Sequence, residues 1–165
     1  MDKLHFEQLK SARRRLSAGD VFAMRIKGKG YFFGRVIIPR LPEDHPHTHE
    51  ACLIYIYARQ HDGPLPDNSC MRPDMLLLPP LFTNRLPWRA GFFQTVSNVP
   101  LGTDDLLPQH CFHDAIFGRY VDEMERPIRA KVEPCGIFGV HSYSGISSAI
   151  GDALGLPQLE TPEDY

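Results

Sequence analysis

Three histidines at alternate positions, His45, His47 and His49, followed by Glu50, form the most suggestive polar cluster in the chain. In an extended segment, side chains two residues apart leave the backbone on the same side, so the three imidazoles would converge. Neutral imidazole is a common Zn²⁺ ligand, and two or three of them with a remote carboxylate make a metal site. His61, His110, His113 and Asp114 are the remote groups able to complete it. Histidine is also the usual general base, which makes His47, His49, His110 and His113 the candidate catalytic residues. A plainer reading competes. The segment PRLPEDHPHTHE is loop-like and interrupted by Pro46, and a solvent-exposed loop rich in histidine has the same composition. No motif demands a cofactor, and Zn²⁺ is the one ion the chain suggests.

Other combinations carry weaker signals. Cys111 lies between His110 and His113, a thiol near two bases, but a nucleophilic cysteine needs surroundings that lower its pKa. Ser142, Ser144, Ser147 and Ser148 follow His141 without a G-x-S-x-G elbow, so caps and turns account for them. Lys27-Gly28-Lys29-Gly30 offers backbone N–H groups to a phosphate. No helix follows it, and a hairpin turn is the simpler assignment.

These residues must be positioned by short elements. Residues 19–38 read as a β-hairpin. Phe22, Met24 and Ile26 fall on one face of its first strand and Val21, Ala23 and Arg25 on the other. In the second strand Phe32, Gly34, Val36 and Ile38 oppose Tyr31, Phe33, Arg35 and Ile37. Gly34 inside a strand marks a bulge or a close backbone approach. The run ACLIYIYA, residues 51–58, is apolar with little alternation, which suits a strand buried on both faces. Further strands are expected at 75–82, where Pro79-Pro80 forces a bend or an edge, at 88–96, around 117–121 and 128–132, and at 135–140. Leu9, Ala12 and Leu16 share one face of a helix predicted over 3–17, with Arg13, Arg14 and Arg15 as its solvated face. A second helix is predicted over 144–154, capped by Ser144 and ended by Gly155.

The stretches Gly19-Asp20-Val21-Phe22-Ala23 and Tyr31-Phe32-Phe33-Gly34-Arg35-Val36 resemble the opening of the immunity protein 26 family. Leu76 to Phe82, Pro87-Trp88-Arg89 and Gly91-Phe92-Phe93 are similar to its middle, and the resemblance covers roughly residues 16–97. It implies a small, mostly β protein found beside bacterial polymorphic toxins, a cytosolic immunity factor that covers its toxin. The label is shared with a small HocA-type phosphotriesterase, so hydrolysis of organophosphate triesters is the alternative. Asp20, Arg35 and Trp88 lie inside the resembling stretches and are candidate binding residues; Arg and Trp are common at interface centres. Asp122, Glu123 and Glu125 add a negative patch suited to a basic partner.

Composition limits the other classes. A formal net charge of −2 gives no whole-protein case for nucleic acid or a membrane surface. The first ten residues are charged and lack the apolar core of a secretory signal. The four cysteines form no CxxC pair, so reduced thiols in the cytoplasm are expected. Fifteen prolines and thirteen glycines point to many short elements joined by turns. The expected fold is one mostly-β (α+β) domain over residues 1–157. It is a strongly bent antiparallel sheet or partly open barrel, with an N-terminal and a short C-terminal helix, followed by a flexible acidic tail at 158–165.

Overall fold

Alternating apolar residues between positions 20 and 38 build the centre of the structure, a computed structural model that describes residues 4–47 and 50–159. The strands are β1 (Phe6–Glu7), β2 (Asp20–Ile26), β3 (Gly30–Ile38), β4 (Cys52–Ile56), β5 (Leu81–Thr83), β6 (Gln94–Asn98), β7 (Cys111–Asp114), β8 (Arg119–Val121), β9 (Pro127–Ile128), β10 (Cys135–Ile137) and β11 (Val140–His141). The helices are α1 (Leu86–Arg89) and α2 (Tyr143–Leu154). A seven-stranded sheet runs in the order β1-β2-β3-β4-β5-β11, with β6 also paired to β2. It is antiparallel except for β11 on β5, and it curls strongly into a half-barrel. A smaller sheet runs β10-β7-β8-β9.

The central strands of the main sheet, β2 to β5, are largely buried on both faces, as the unbroken apolar run of β4 demands. One face gathers Phe22, Met24, Ile26, Phe32, Val36, Ile54 and Ile56 with Trp88 and Phe93. Ile146 and Ile150 of α2 close that side. The other face gathers Val21, Ala23, Phe33, Leu53, Tyr55 and Phe82, and Phe112 and Val121 of the small sheet close it. Thus the period-two pattern of the hairpin divides two cores rather than a core from solvent. A register shift between Val36 and Ile38 turns Ile38 to the side of Phe33, against strict alternation.

The helix expected over 3–17 is not there. Residues 8–17 run without regular structure, and Leu9 N–H donates to Gly91 O at 2.7 Å while Ala12 N–H donates to Trp88 O at 3.0 Å. Leu16 enters the core with Phe22, whereas Leu9 packs against the opposite one. Two apolar residues that serve two different cores cannot share one helix face. The strand expected through Trp88 is also corrected: Pro87 near the start of α1 and the turn at Gly91 place Trp88 in a helical turn, and β6 begins at Gln94. The expected strand over 135–140 divides into β10 and β11, which belong to different sheets. The C-terminal helix forms, with Ser142 rather than Ser144 as its cap, accepting from Gly145 N–H at 3.1 Å. Among the described residues no helix is long and apolar enough to cross a membrane. Most of the expected acidic tail, residues 160–165, lies outside the described residues.

Candidate functional site

Tyr55 brings a hydroxyl into the core because β4 is buried on both faces, and that hydroxyl must find partners there. It accepts from Leu107 N–H at 3.2 Å and donates to His110 Nε2 at 2.5 Å. His110 Nδ1–H in turn donates to a Glu123 carboxylate oxygen at 3.2 Å. The Glu123 carbonyl accepts from His45 Nε2–H at 2.7 Å, and His45 Nδ1 accepts from His47 N–H at 3.1 Å. These bonds fix the tautomers of both imidazoles. Three loops, around residues 45, 107 and 123, are thereby pinned to the middle of the main sheet.

The chain of carboxylate, imidazole and phenol looks like a catalytic relay, but its burial decides otherwise. Tyr55 is 0% exposed and His110 8%. Burial pushes the Tyr55 hydroxyl up to about 12, so it is a neutral phenol at physiological pH. The His110 hydrogen bond holds the Glu123 carboxyl below its ordinary value. Glu123 therefore stabilises the fold above its unfolded value of 4.5, and that stabilisation is lost as pH falls through its lower folded value. No sequence signal announced this cluster, because its members lie in separate segments. His45, His110 and Glu123 were each singled out in the sequence, but for other roles and not as neighbours of Tyr55.

The candidate catalytic histidines within the described residues, His47, His110 and His113, sit in three different surroundings. His47 lies against Phe138 and Phe82, with ring centroids 4.5 and 4.7 Å away, and its Nε2 is buried with no hydrogen-bond partner among the described residues. His113 is exposed on the outer face of the small sheet beside Tyr120, while His110 turns inward. His49 lies outside the described residues. Of the proposed His45, His47 and His49 metal set, His45 has both ring nitrogens hydrogen-bonded, and the described residues contain no group of three His, Cys, Asp or Glu placed to hold an ion. Cys111 is fully buried, its Sγ 3.4 Å from Cys135 Sγ, and burial pushes the Cys135 thiol up to about 11. That is the reverse of what activates a nucleophilic thiol.

Burial, with the neighbouring His45, lowers the His47 pKa from 6.5 to about 4. The unfolded chain then binds the proton more readily than the folded one. His47 destabilises the fold progressively as pH falls from 6.5 towards 4, and the effect is absent above 6.5. Stability at pH 4.5 is expected to be lower than at pH 7.5 by on the order of 2 kcal/mol from this group alone. His47→Phe should flatten that limb of the profile in urea titrations across pH. An unchanged limb would show that His47 is not the titrating group.

The expected binding residues are placed inside rather than outside. Asp20 is buried, accepting from Ser17 N–H at 2.9 Å and Asn98 Nδ2 at 2.8 Å. Trp88 is buried edge-on to Phe22 and Phe93. Arg35 is buried beside Asp105 at 3.3 Å and donates to the carbonyls of Val99 and Pro100. The negative patch is largely used internally. Asp122 pairs with Arg126, Glu123 with His110 and Glu125 with Arg119, at 3.2, 3.2 and 3.3 Å. Asp122 also accepts from the backbone N–H groups of Met124 and Arg126 at 2.9 Å, shaping the β8–β9 turn.

Residues 17–122, from just before the hairpin to the end of β8, match the family described as immunity protein 26. The chain belongs to the immunity protein 26 family. The matched stretch holds most of the main sheet and both β7 and β8, and it extends well past the resembling residues near Phe93. No curated protein and no solved structure matches the chain. The match carries the immunity description alone, and nothing supports the phosphotriesterase alternative.

Proposed function

We propose that this protein is an immunity factor that binds a cognate bacterial toxin and neutralises it by covering its working surface. The observation that carries this reading is the immunity protein 26 match over residues 17–122. The geometry is compatible with it. The histidines and the tyrosine best suited to acid–base chemistry are used to hold loops onto the sheet, which leaves a rigid scaffold with exposed loops. An inhibitor must act before its toxin damages the cell, so an affinity of roughly nanomolar or better is expected.

Co-expression tests the proposal. The toxin encoded beside this gene should arrest growth when expressed alone, and this protein should restore growth and co-purify with it as a stable complex. Continued arrest in the presence of soluble, folded protein, with no complex on size-exclusion chromatography, would remove the immunity reading.

A further inference from the structure

A cleft of about 360 Å³ is lined by Arg15, Leu16, Pro39, Arg40, Glu50 and Arg85. Three segments far apart in sequence meet there. The irregular course of residues 8–17 is what brings Arg15 to it, since Leu16 is anchored in the core and Ser17 N–H is held by Asp20. Arg85 is already bonded to Glu50 at 3.2 Å. Arg15 and Arg40 are exposed and make no ion pair or hydrogen bond among the described residues. Three guanidinium groups against one carboxylate leave an excess positive charge in the cleft of a chain whose net charge is −2.

We propose that this cleft receives an acidic segment of a partner protein, two neighbouring carboxylates taken by Arg15 and Arg40. If the immunity reading holds, on which this identification of the partner rests, that segment belongs to the toxin. Arginine presents a planar fork of donors that matches a carboxylate. The Glu50–Arg85 pair shows one carboxylate already held against a guanidinium of the cleft by a single contact. Leu16 and Pro39 supply an apolar lining for the methylene stem of a glutamate. The lining contains no aromatic ring, so the stacking that single-stranded nucleic acid uses has no platform there. This reverses the charge relation expected from sequence, in which acidic residues of this chain would meet a basic partner.

The test uses a deca-glutamate peptide as the probe, with tripolyphosphate and a ten-nucleotide single-stranded RNA alongside. The peptide should bind at low salt and weaken as salt rises, as exposed charge pairs do. The R15E/R40E double variant should lose about tenfold or more in peptide affinity, R40Q a smaller part, and E50Q should gain several-fold by freeing Arg85. Melting temperatures should stay unchanged, because both arginines lie at the surface. Peptide affinity unaffected by R15E/R40E and R40Q would overturn the proposal. So would tighter binding of tripolyphosphate or RNA than of the peptide through the same arginines, which would make this a phosphate site. Protection assays keep the two readings apart. A wild-type protein that fails to protect refutes immunity, whereas the peptide result judges the cleft by itself.

Discussion

Gly34→Ala is expected to destabilise the protein by about 3 kcal/mol or more, and Gly34→Val by still more. Gly34 is paired with Phe22 on one side and with Ile56 on the other, at the centre of the main sheet. A Cβ at this position would overlap the Phe22 ring and would stand 2.7 Å from the Tyr55 carbonyl oxygen. The ring is itself packed against Trp88 and Phe93, with centroids 5.1 and 4.5 Å away, and the carbonyl belongs to a buried strand, so neither can withdraw. Gly28 provides the contrast. It has a φ of 74° and open space around its Cβ position, so Gly28→Ala carries only the backbone strain, about 1 kcal/mol. Urea midpoints of the two alanine variants measure the difference. Equal midpoints would show that close approach is not what position 34 requires.

Arg35→Leu is expected to cost about 3 kcal/mol, although it places an apolar side chain in an apolar strand. The guanidinium joins β3 to the loop that follows β6: it pairs with Asp105 and satisfies the carbonyls of Val99 and Pro100. Removing it leaves those acceptors facing Leu and takes away the bonds that order this loop. Asp105→Asn should cost less, about 1–2 kcal/mol, because that side chain is partly exposed and the carbonyl bonds survive. Arg35→Lys should rescue little, since a single ammonium cannot reproduce a fork with acceptors in several directions. Denaturant unfolding of the three variants gives the ranking. A fully stable Arg35→Leu protein would show the cluster to be energetically neutral.

Much of the architecture was readable from the period-two pattern of residues 20–38 and the unbroken apolar run at 51–58. Burial on both faces of a strand leaves a composition that no surface constraint disguises. The apparent N-terminal helix misled because Leu9 and Leu16 have helical spacing yet pack in different cores, and spacing does not say which core a residue serves. Trp88 and Arg35 were conspicuous for a sound reason, since a buried Arg and a lone Trp are costly to place. Their type could not distinguish an interface from an interior. Asp122, Glu123 and Glu125 read as a charge patch because their partners, Arg126, His110 and Arg119, are fixed by turn and sheet geometry. The His-rich loop yielded one buried hydrogen-bonded imidazole and one neutral ring packed among phenylalanines, roles that depend on Phe82, Phe138 and Glu123, all remote in sequence.

The closure of one core by Ile146 and Ile150 has a consequence for synthesis on the ribosome. The strands that carry Phe22, Met24 and Phe32 are made before α2, the last helix of the described chain, which completes the core they share with Trp88 and Phe93. At roughly 5–20 residues per second, the nascent sheet presents an aromatic surface for seconds before α2 arrives. Chain elongation thus leaves that core incomplete until α2 has been made.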